Sequence, residues 1–191
     1  MKSYAAGTAQ DLVQSVQRVL IDERTLAQRI QTLGALISHD YEEKRPVLVG
    51  VLKGVVPFMA DLLRAITIPV EVDFLAISRY RPGQKGQVRV LKDLDICIKG
   101  RHVLFVEDIV DTGLTLQYLL KLLRAREPAS LEVCTLLNKT SRRLIDIPLK
   151  YVGFEVPDFY LIGYGLDYRE RFRNLPMVGI AKAELIQPHR L

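Results

Sequence analysis

The stretch His102-Val103-Leu104-Phe105-Val106-Glu107-Asp108-Ile109-Val110-Asp111-Thr112-Gly113-Leu114-Thr115 sets an apolar run against three carboxylates and a short turn of hydroxyls and glycine. The run from His102 to Val106 has the length of a strand covered on both faces, the kind found inside a parallel sheet. From Thr115 onward the apolar spacing changes to a helical period. A strand that passes through a tight loop into a helix aims backbone N–H groups and the positive end of the helix dipole at whatever occupies the loop. That is an anion site. Carboxylates beside it would repel a bare phosphate, so Glu107, Asp108 and Asp111 suit a ligand that also presents sugar hydroxyls, a metal ion or a proton to be moved. The ligand these residues predict is a phosphorylated sugar.

The rest of the chain places this unit in an alternation of strands and helices. Asp22 is a plausible N-cap, and Leu26, Ile30, Leu33 and Ile37 step in threes and fours toward a helix end near His39. Val47 to Leu52 reads as a strand broken by Lys53-Gly54. Pro57 suits the first turn of a helix whose face is Phe58, Leu62, Leu63 and Ile66. Further strands are predicted over Val70–Ser78, Val88–Leu91, Leu131–Leu137, Tyr151–Phe154, Tyr160–Gly163 and Met177–Ile180, with a helix from about Thr115 to Arg126 stopped by Pro128. This pattern predicts an α/β fold with a mainly parallel central sheet flanked by helices. Ligands of such sheets bind at the carboxyl ends of the strands. Lys53, Glu107, Asp108, Lys139 and Asp167 all follow apolar runs and are expected along that edge. The Gly-x-Gly-x-x-Gly fingerprint and the Gly-x-x-x-x-Gly-Lys-Ser/Thr loop are both absent, which disfavours nicotinamide enzymes and P-loop nucleotide hydrolases.

Bulk properties narrow the class. With 191 residues, 49% hydrophobic and 26% charged, the chain has room for one globular domain and a small appended subdomain. Its N-terminus lacks the apolar core of a secretory signal and its apolar runs are too short to cross a bilayer, so a cytoplasmic protein with no membrane partner is expected. Cys97 and Cys134 have no metal-ligand spacing and fit reduced thiols. The net charge of +5 reads as a solvated surface, but Arg79, Arg81, Lys85, Arg89 and Lys92 crowd a segment that also holds Pro82, Gly83 and Gly86. A basic loop there could close over a polyanionic small molecule or touch nucleic acid.

The string Val106 to Thr115 resembles the phosphoribosyl pyrophosphate motif of the type I phosphoribosyltransferases. Leu52-Lys53-Gly54-Val55-Val56-Pro57-Phe58-Met59-Ala60-Asp61-Leu62, Lys92-Asp93-Leu94, Val152-Gly153-Phe154-Glu155, Gly163-Tyr164-Gly165-Leu166-Asp167-Tyr168 and Arg173-Asn174-Leu175-Pro176 are similar to the bacterial hypoxanthine-guanine members of that family. The resemblance runs from about Val19 to Ile180. It implies a type I phosphoribosyltransferase fold with a small hood subdomain: one domain over residues 21–181, an N-terminal arm over residues 1–20 with no clear partner, and a C-terminal tail over residues 182–191.

The resemblance also implies roles. Thr112, Gly113, Leu114 and Thr115 would hold the 5-phosphate, Glu107 and Asp108 the ribose hydroxyls directly or through metal, and Asp111 would be the general base at purine N7. Lys53, Gly54 and Arg173 would contact pyrophosphate, the family often having a non-proline cis bond at the first of these. Lys139 would donate to the purine 6-oxo group, Tyr160 would stack on the purine ring, and the main chain of Leu161 and Asp167 would meet its other edge. For Tyr160 and its neighbour Phe159, plain core packing is the competing reading. Asp167, Glu107 and Asp108 are the expected ligands of Mg2+, and Tyr80 the catalytic loop residue. The chain departs from its relatives at Arg79, where a small hydroxyl residue is usual. The implied reaction is purine salvage with phosphoribosyl pyrophosphate and a 6-oxopurine as substrates, in a homodimer or homotetramer and without a nucleic-acid partner. A xanthine-preferring transferase, an RNA-binding regulator on the same fold and a catalytically silent subunit are the alternatives.

Overall fold

The expected alternation of strand and helix is present in the computed structural model, which describes residues 9–78 and 89–186. In chain order the elements are α1 (Ala9–Gln14), β1 (Val16–Ile21), α2 (Glu23–Asp40), β2 (Val47–Leu52), α3 (Val56–Ala65), β3 (Glu71–Ile77), β4 (Val90–Lys92), β5 (His102–Val110), α4 (Leu114–Arg124), β6 (Ser130–Asn138), β7 (Tyr151–Glu155), β8 (Leu161–Ile162), β9 (Val178–Ala181) and α5 (Ala183–Ile186). The chain divides into two compact units, one of residues 27–158 and one of residues up to 26 with those from 159 on.

The larger unit holds a six-stranded sheet in the order β4-β3-β2-β5-β6-β7. β2 pairs parallel with both β3 and β5, and β6 pairs parallel with both β5 and β7; only the edge strand β4 is antiparallel. Chain order runs one way from β2 to β3 and the other way from β5 to β7. The neighbours β2 and β5 therefore form a topological switch point, whose carboxyl ends are where an open α/β sheet leaves a crevice for ligand. Lys53-Gly54 follows β2 and Asp111-Thr112-Gly113 follows β5.

Burial follows the predicted periodicities. On α4, Leu116, Leu119, Leu120 and Leu123 pack with Val47, Val49, Leu75, Val103, Phe105 and Val133 of the sheet. Removing one of these leucine side chains would cost about 2–5 kcal/mol. On α2, Leu26, Ile30, Leu33 and Ile37 are all buried, and the Asp22 carboxylate accepts the Thr25 N–H at 2.7 Å as an N-cap should. α3 has Pro57 in its first turn and buries Phe58, Met59 and Leu62.

The boundaries differ from the sequence expectation in instructive places. β5 does not stop at Val106 but runs on to Val110, so Glu107 and Asp108 are strand residues; Glu107 is paired with Thr135 of β6. Parallel hydrogen bonding with β6 carries the strand through the acids, outweighing their poor strand propensity. Leu114, expected in the loop, is the first helical residue of α4, which starts one residue ahead of the expected Thr115. Residues 16–20, expected in an N-terminal arm without a partner, belong to β1, which pairs antiparallel with β9 from Val16↔Ala181 to Ile21↔Val178. The tail expected from residue 182 includes α5. In the smaller unit the sheet order is β1-β9-β8, all antiparallel.

Candidate active site

Gly113 makes the turn out of β5 possible. It is the N-cap of α4 at φ +86°, a left-handed conformation that costs a side-chain-bearing residue about 1–2 kcal/mol, and a Cβ there would sit 3.2 Å from the Ile145 carbonyl. No side chain caps the helix, and the Thr112 hydroxyl accepts the Leu114 N–H only at 3.4 Å. The first turn of α4 thus starts without an N-cap side chain, which is the condition in which a helix start can take an anion. The segment after β6 braces this loop: the Leu144 N–H donates to the Thr112 carbonyl at 3.0 Å, and Arg143 lies against Gly113 while donating to the Asn138 side chain.

The acids at the end of β5 differ in environment. Asp108 accepts the Ile109 N–H at 2.8 Å. Glu107 is only half-buried as a residue, but its Oε2 is enclosed and accepts no hydrogen bond. Burial, and then the neighbouring Asp108 carboxylate, push the Glu107 carboxyl well above the ordinary carboxylate range. Asp111 Oδ1 is likewise enclosed without a hydrogen bond, and it faces Arg142 Nε at 3.3 Å as an ion pair only. Lys139, one residue beyond β6, is buried; its N–H donates to the Val110 carbonyl at 3.0 Å and its Nζ stands 3.7 Å from Asp158. The structure thereby joins the ends of β5 and β6 that carry Asp111 and Lys139. Lys53 and Gly54 follow β2, next to β5, and the Leu52–Lys53 peptide is cis. Arg142 and Asp158 were not legible as site residues; both are charged, well exposed and embedded in loops with no periodic signal.

In the smaller unit, residues 163–175 fold into a knot of turns. Gly163, Tyr164, Gly165, Arg169, Glu170 and Phe172 all have positive φ. Asp167 ties the turns together: Oδ1 pairs with Arg173 Nη2 at 2.9 Å and Oδ2 accepts the Glu170 N–H at 2.9 Å. Arg173 also donates to the Gly165 carbonyl at 2.6 Å and pairs with Glu170 at 3.3 Å. Tyr160 is 42% exposed and Phe159 47%, so neither is a core residue, and core packing is set aside for both. The Tyr160 hydroxyl donates to the Asp167 carbonyl at 3.1 Å and its ring meets Tyr168 edge-on with centroids 5.6 Å apart. Leu161 is buried in β8, which leaves its main chain rather than its side chain for any ligand. Arg79 and Tyr80 lie outside the described residues.

Among the described residues no three His, Cys, Asp or Glu side chains converge as a metal cage. Magnesium borne on a phosphorylated substrate needs only one or two carboxylates from the protein. Glu107, with its unpartnered Oε2, and Asp108 in the larger unit offer hard oxygens of the kind that ion takes, as Asp167 does in the smaller unit.

A family model described as "Phosphoribosyl transferase domain" matches residues 18–169. The chain belongs to the phosphoribosyltransferase family. This phosphoribosyltransferase is 46% identical over 169 residues to the hypoxanthine-guanine phosphoribosyltransferase of Bacillus subtilis, covering 87% of this chain and 94% of the relative. It is 51% identical over 166 residues to the hypoxanthine phosphoribosyltransferase of Haemophilus influenzae, covering 84% and 93%. Among solved structures, a hypoxanthine phosphoribosyltransferase from Staphylococcus aureus superposes with a TM-score of 0.90 at 41% identity, over 95% of this chain and all of the other. The chain is therefore an enzyme with the fold that its motifs imply, and neither the RNA-binding reading nor the silent-subunit reading is favoured. No helix among the described residues is long and apolar enough to cross a membrane.

Proposed function

We propose that this enzyme serves purine salvage by transferring the 5-phosphoribosyl group of phosphoribosyl pyrophosphate to N9 of hypoxanthine or guanine, giving IMP or GMP and pyrophosphate. The observation that carries the reading is that a buried cation, Lys139, and a carboxylate, Asp111, follow the ends of adjacent parallel strands beside a helix start that has no N-cap side chain. A 6-oxopurine offers that pair an acceptor at its 6-oxo group and a proton at N7, whereas a 6-aminopurine offers Lys139 only another donor. The relatives named for hypoxanthine and guanine support the same substrates.

In this reading the first turn of α4, with Thr112, Gly113, Leu114 and Thr115, binds the 5-phosphate, while Glu107 and Asp108 accept from the ribose hydroxyls. Asp111 takes the N7 proton as N9 attacks the anomeric carbon and the bond to pyrophosphate breaks. Lys53, Gly54 and Arg173 receive the pyrophosphate; Arg173 must then exchange one of its present partners, Asp167 or Glu170, for the leaving group. Tyr160 stacks on the purine and the main chain of Leu161 and Asp167 contacts its far edge, the Asp167 carbonyl giving up the Tyr160 hydroxyl it now accepts. Asp167, Glu107 and Asp108 would hold Mg2+, which when bound supplies neutralisation of the leaving pyrophosphate. We place the enzyme in the cytoplasm as a homodimer or homotetramer; free Cys97 and Cys134 fit a reducing compartment.

Purified enzyme given hypoxanthine, phosphoribosyl pyrophosphate and magnesium should form IMP and pyrophosphate. Absence of nucleotide with hypoxanthine, guanine and xanthine alike would overturn the reading, and a clear preference for xanthine would correct the choice of base.

A further inference from the structure

The two residues that the proposed reaction sets against the purine are each already engaged by a charge of the chain's own. Arg142 ends the short 3-10 turn Thr140–Arg142 that begins directly after Lys139. Its Nε stands 3.3 Å from the enclosed Asp111 Oδ1, and its Nη1 stands 3.6 Å from Asp158 Oδ1. That same Asp158 oxygen is 3.7 Å from Lys139 Nζ. The four side chains alternate in sign without a break, Asp111, Arg142, Asp158, Lys139.

The alternation has the chemistry of the purine edge. To Asp111 a 6-oxopurine presents an N–H donor at N7, where Arg142 now sets its guanidinium Nε at ion-pair distance without a hydrogen bond. To Lys139 the purine presents an oxygen acceptor, and Asp158 presents an oxygen acceptor. We propose that the Arg142–Asp158 pair is an internal stand-in for the N7 and 6-oxo edge of the purine, and that it must leave Asp111 and Lys139 before the base can bind. The inference rests on the 6-oxopurine reading above and adds two residues that set base affinity.

The pair is built to be displaced. Both side chains are about half-exposed, 48% for Arg142 and 51% for Asp158, so each can turn into water without being stripped of solvation. Their separations from Asp111 and Lys139 exceed good charge-assisted hydrogen-bond lengths, and partly exposed ion pairs are worth little. A ligand with one donor and one acceptor correctly spaced replaces both contacts together. A 6-aminopurine would set a second donor against Lys139 and would leave the displaced Asp158 contact unreplaced.

The test is steady-state kinetics of Asp158→Asn and Arg142→Gln, with hypoxanthine varied at saturating phosphoribosyl pyrophosphate and then the reverse, at low and high salt. Each variant should lower the KM for hypoxanthine roughly two- to fivefold while the KM for phosphoribosyl pyrophosphate moves less. Arg142→Lys, which keeps the charge, should stay nearer the parent. In the parent enzyme the hypoxanthine KM should fall as salt screens the pairs, and Asp158→Asn should lose most of that dependence. A merely structural role would lower the melting temperature and move both KM values together. Unchanged or raised hypoxanthine KM in both neutral variants, with the parent active, would overturn the stand-in and leave the function intact. Should a variant fail to fold, a salt-insensitive hypoxanthine KM in the parent overturns it equally. Failure of the parent to use any 6-oxopurine would remove both.

Discussion

Asp73 on β3 and Glu107 on β5 are carboxyls of the same six-stranded sheet, both with enclosed oxygens, and they have opposite fates. Asp73 accepts the N–H groups of Phe74 and Asp95 at 2.7 Å each, that of Ile96 at 2.9 Å, and the Lys92 ammonium at 3.3 Å. Burial alone would raise its pKa; the N–H groups of Ile96, Phe74 and Asp95 and the Lys92 ammonium outweigh burial and hold the carboxyl below its ordinary value. Glu107 has no partner at Oε2, and there burial and the Asp108 charge prevail. Near β4 the chain fills a carboxylate's lone pairs with its own backbone, fastening residues 95–96 to β3. At the end of β5 it leaves them unfilled, which a protein tolerates where a ligand completes the set.

Substitutions can break this contrast, beginning with the largest effect. Asp111→Asn, at the chemically committed end, should lower kcat by roughly 10²–10⁴ while weakening phosphoribosyl pyrophosphate binding far less. Equal losses in kcat and affinity would reduce Asp111 to a binding residue. Asp73→Ala, at the structural end, should cost roughly 1–3 kcal/mol of folding stability in denaturant titrations, because the partly buried N–H groups of Asp95 and Ile96 lose their acceptor. Asp73→Asn retains one acceptor oxygen and should lose less. Glu107→Gln should change stability by no more than about 1 kcal/mol, since no hydrogen bond to Oε2 is lost, yet raise the KM for phosphoribosyl pyrophosphate severalfold. A stability loss as large as that of Asp73→Ala would erase the distinction.

The smallest effect is in acid. Because the folded pKa of Asp73 lies below its unfolded value near 3.8, its stabilising contribution is present above that value and is lost as pH falls through it toward the folded pKa. Unfolding free energy followed downward from about pH 5 should therefore fall less steeply in Asp73→Asn than in the parent. Identical slopes would mean that the backbone hydrogen bonds do not favour the charged form.

The same contrast explains what could be read from the chain. Regular periodicity marked β2, α2, α3 and α4 closely, because a buried face dictates residue type at each turn. The Glu107–Thr115 segment was legible because strand, acids and turn residues are contiguous in sequence. Asp73 was not singled out, although a lone acid between Val72 and Phe74 in an apolar strand was the available signal. Arg142 and Asp158 carried none: they meet Asp111 and Lys139 through tertiary folding alone. β1 was missed because its partner, β9, lies at the other end of the chain. The turns of residues 163–175 use positive φ at Tyr164, Arg169, Glu170 and Phe172, conformations that turn chemistry does not predict for those side chains.

The claim that Asp111 and the acids at the end of β5 serve phosphoribosyl transfer is tested most directly by initial rates of IMP formation from hypoxanthine and phosphoribosyl pyrophosphate. Parent and Asp111→Asn should be measured side by side at saturating substrate, with melting temperatures taken on the same samples. The account predicts IMP and equimolar pyrophosphate from the parent, and a variant that melts near the parent but turns over at least about a hundredfold more slowly. IMP formation at equal rates by the two proteins, or none by the parent, would contradict it.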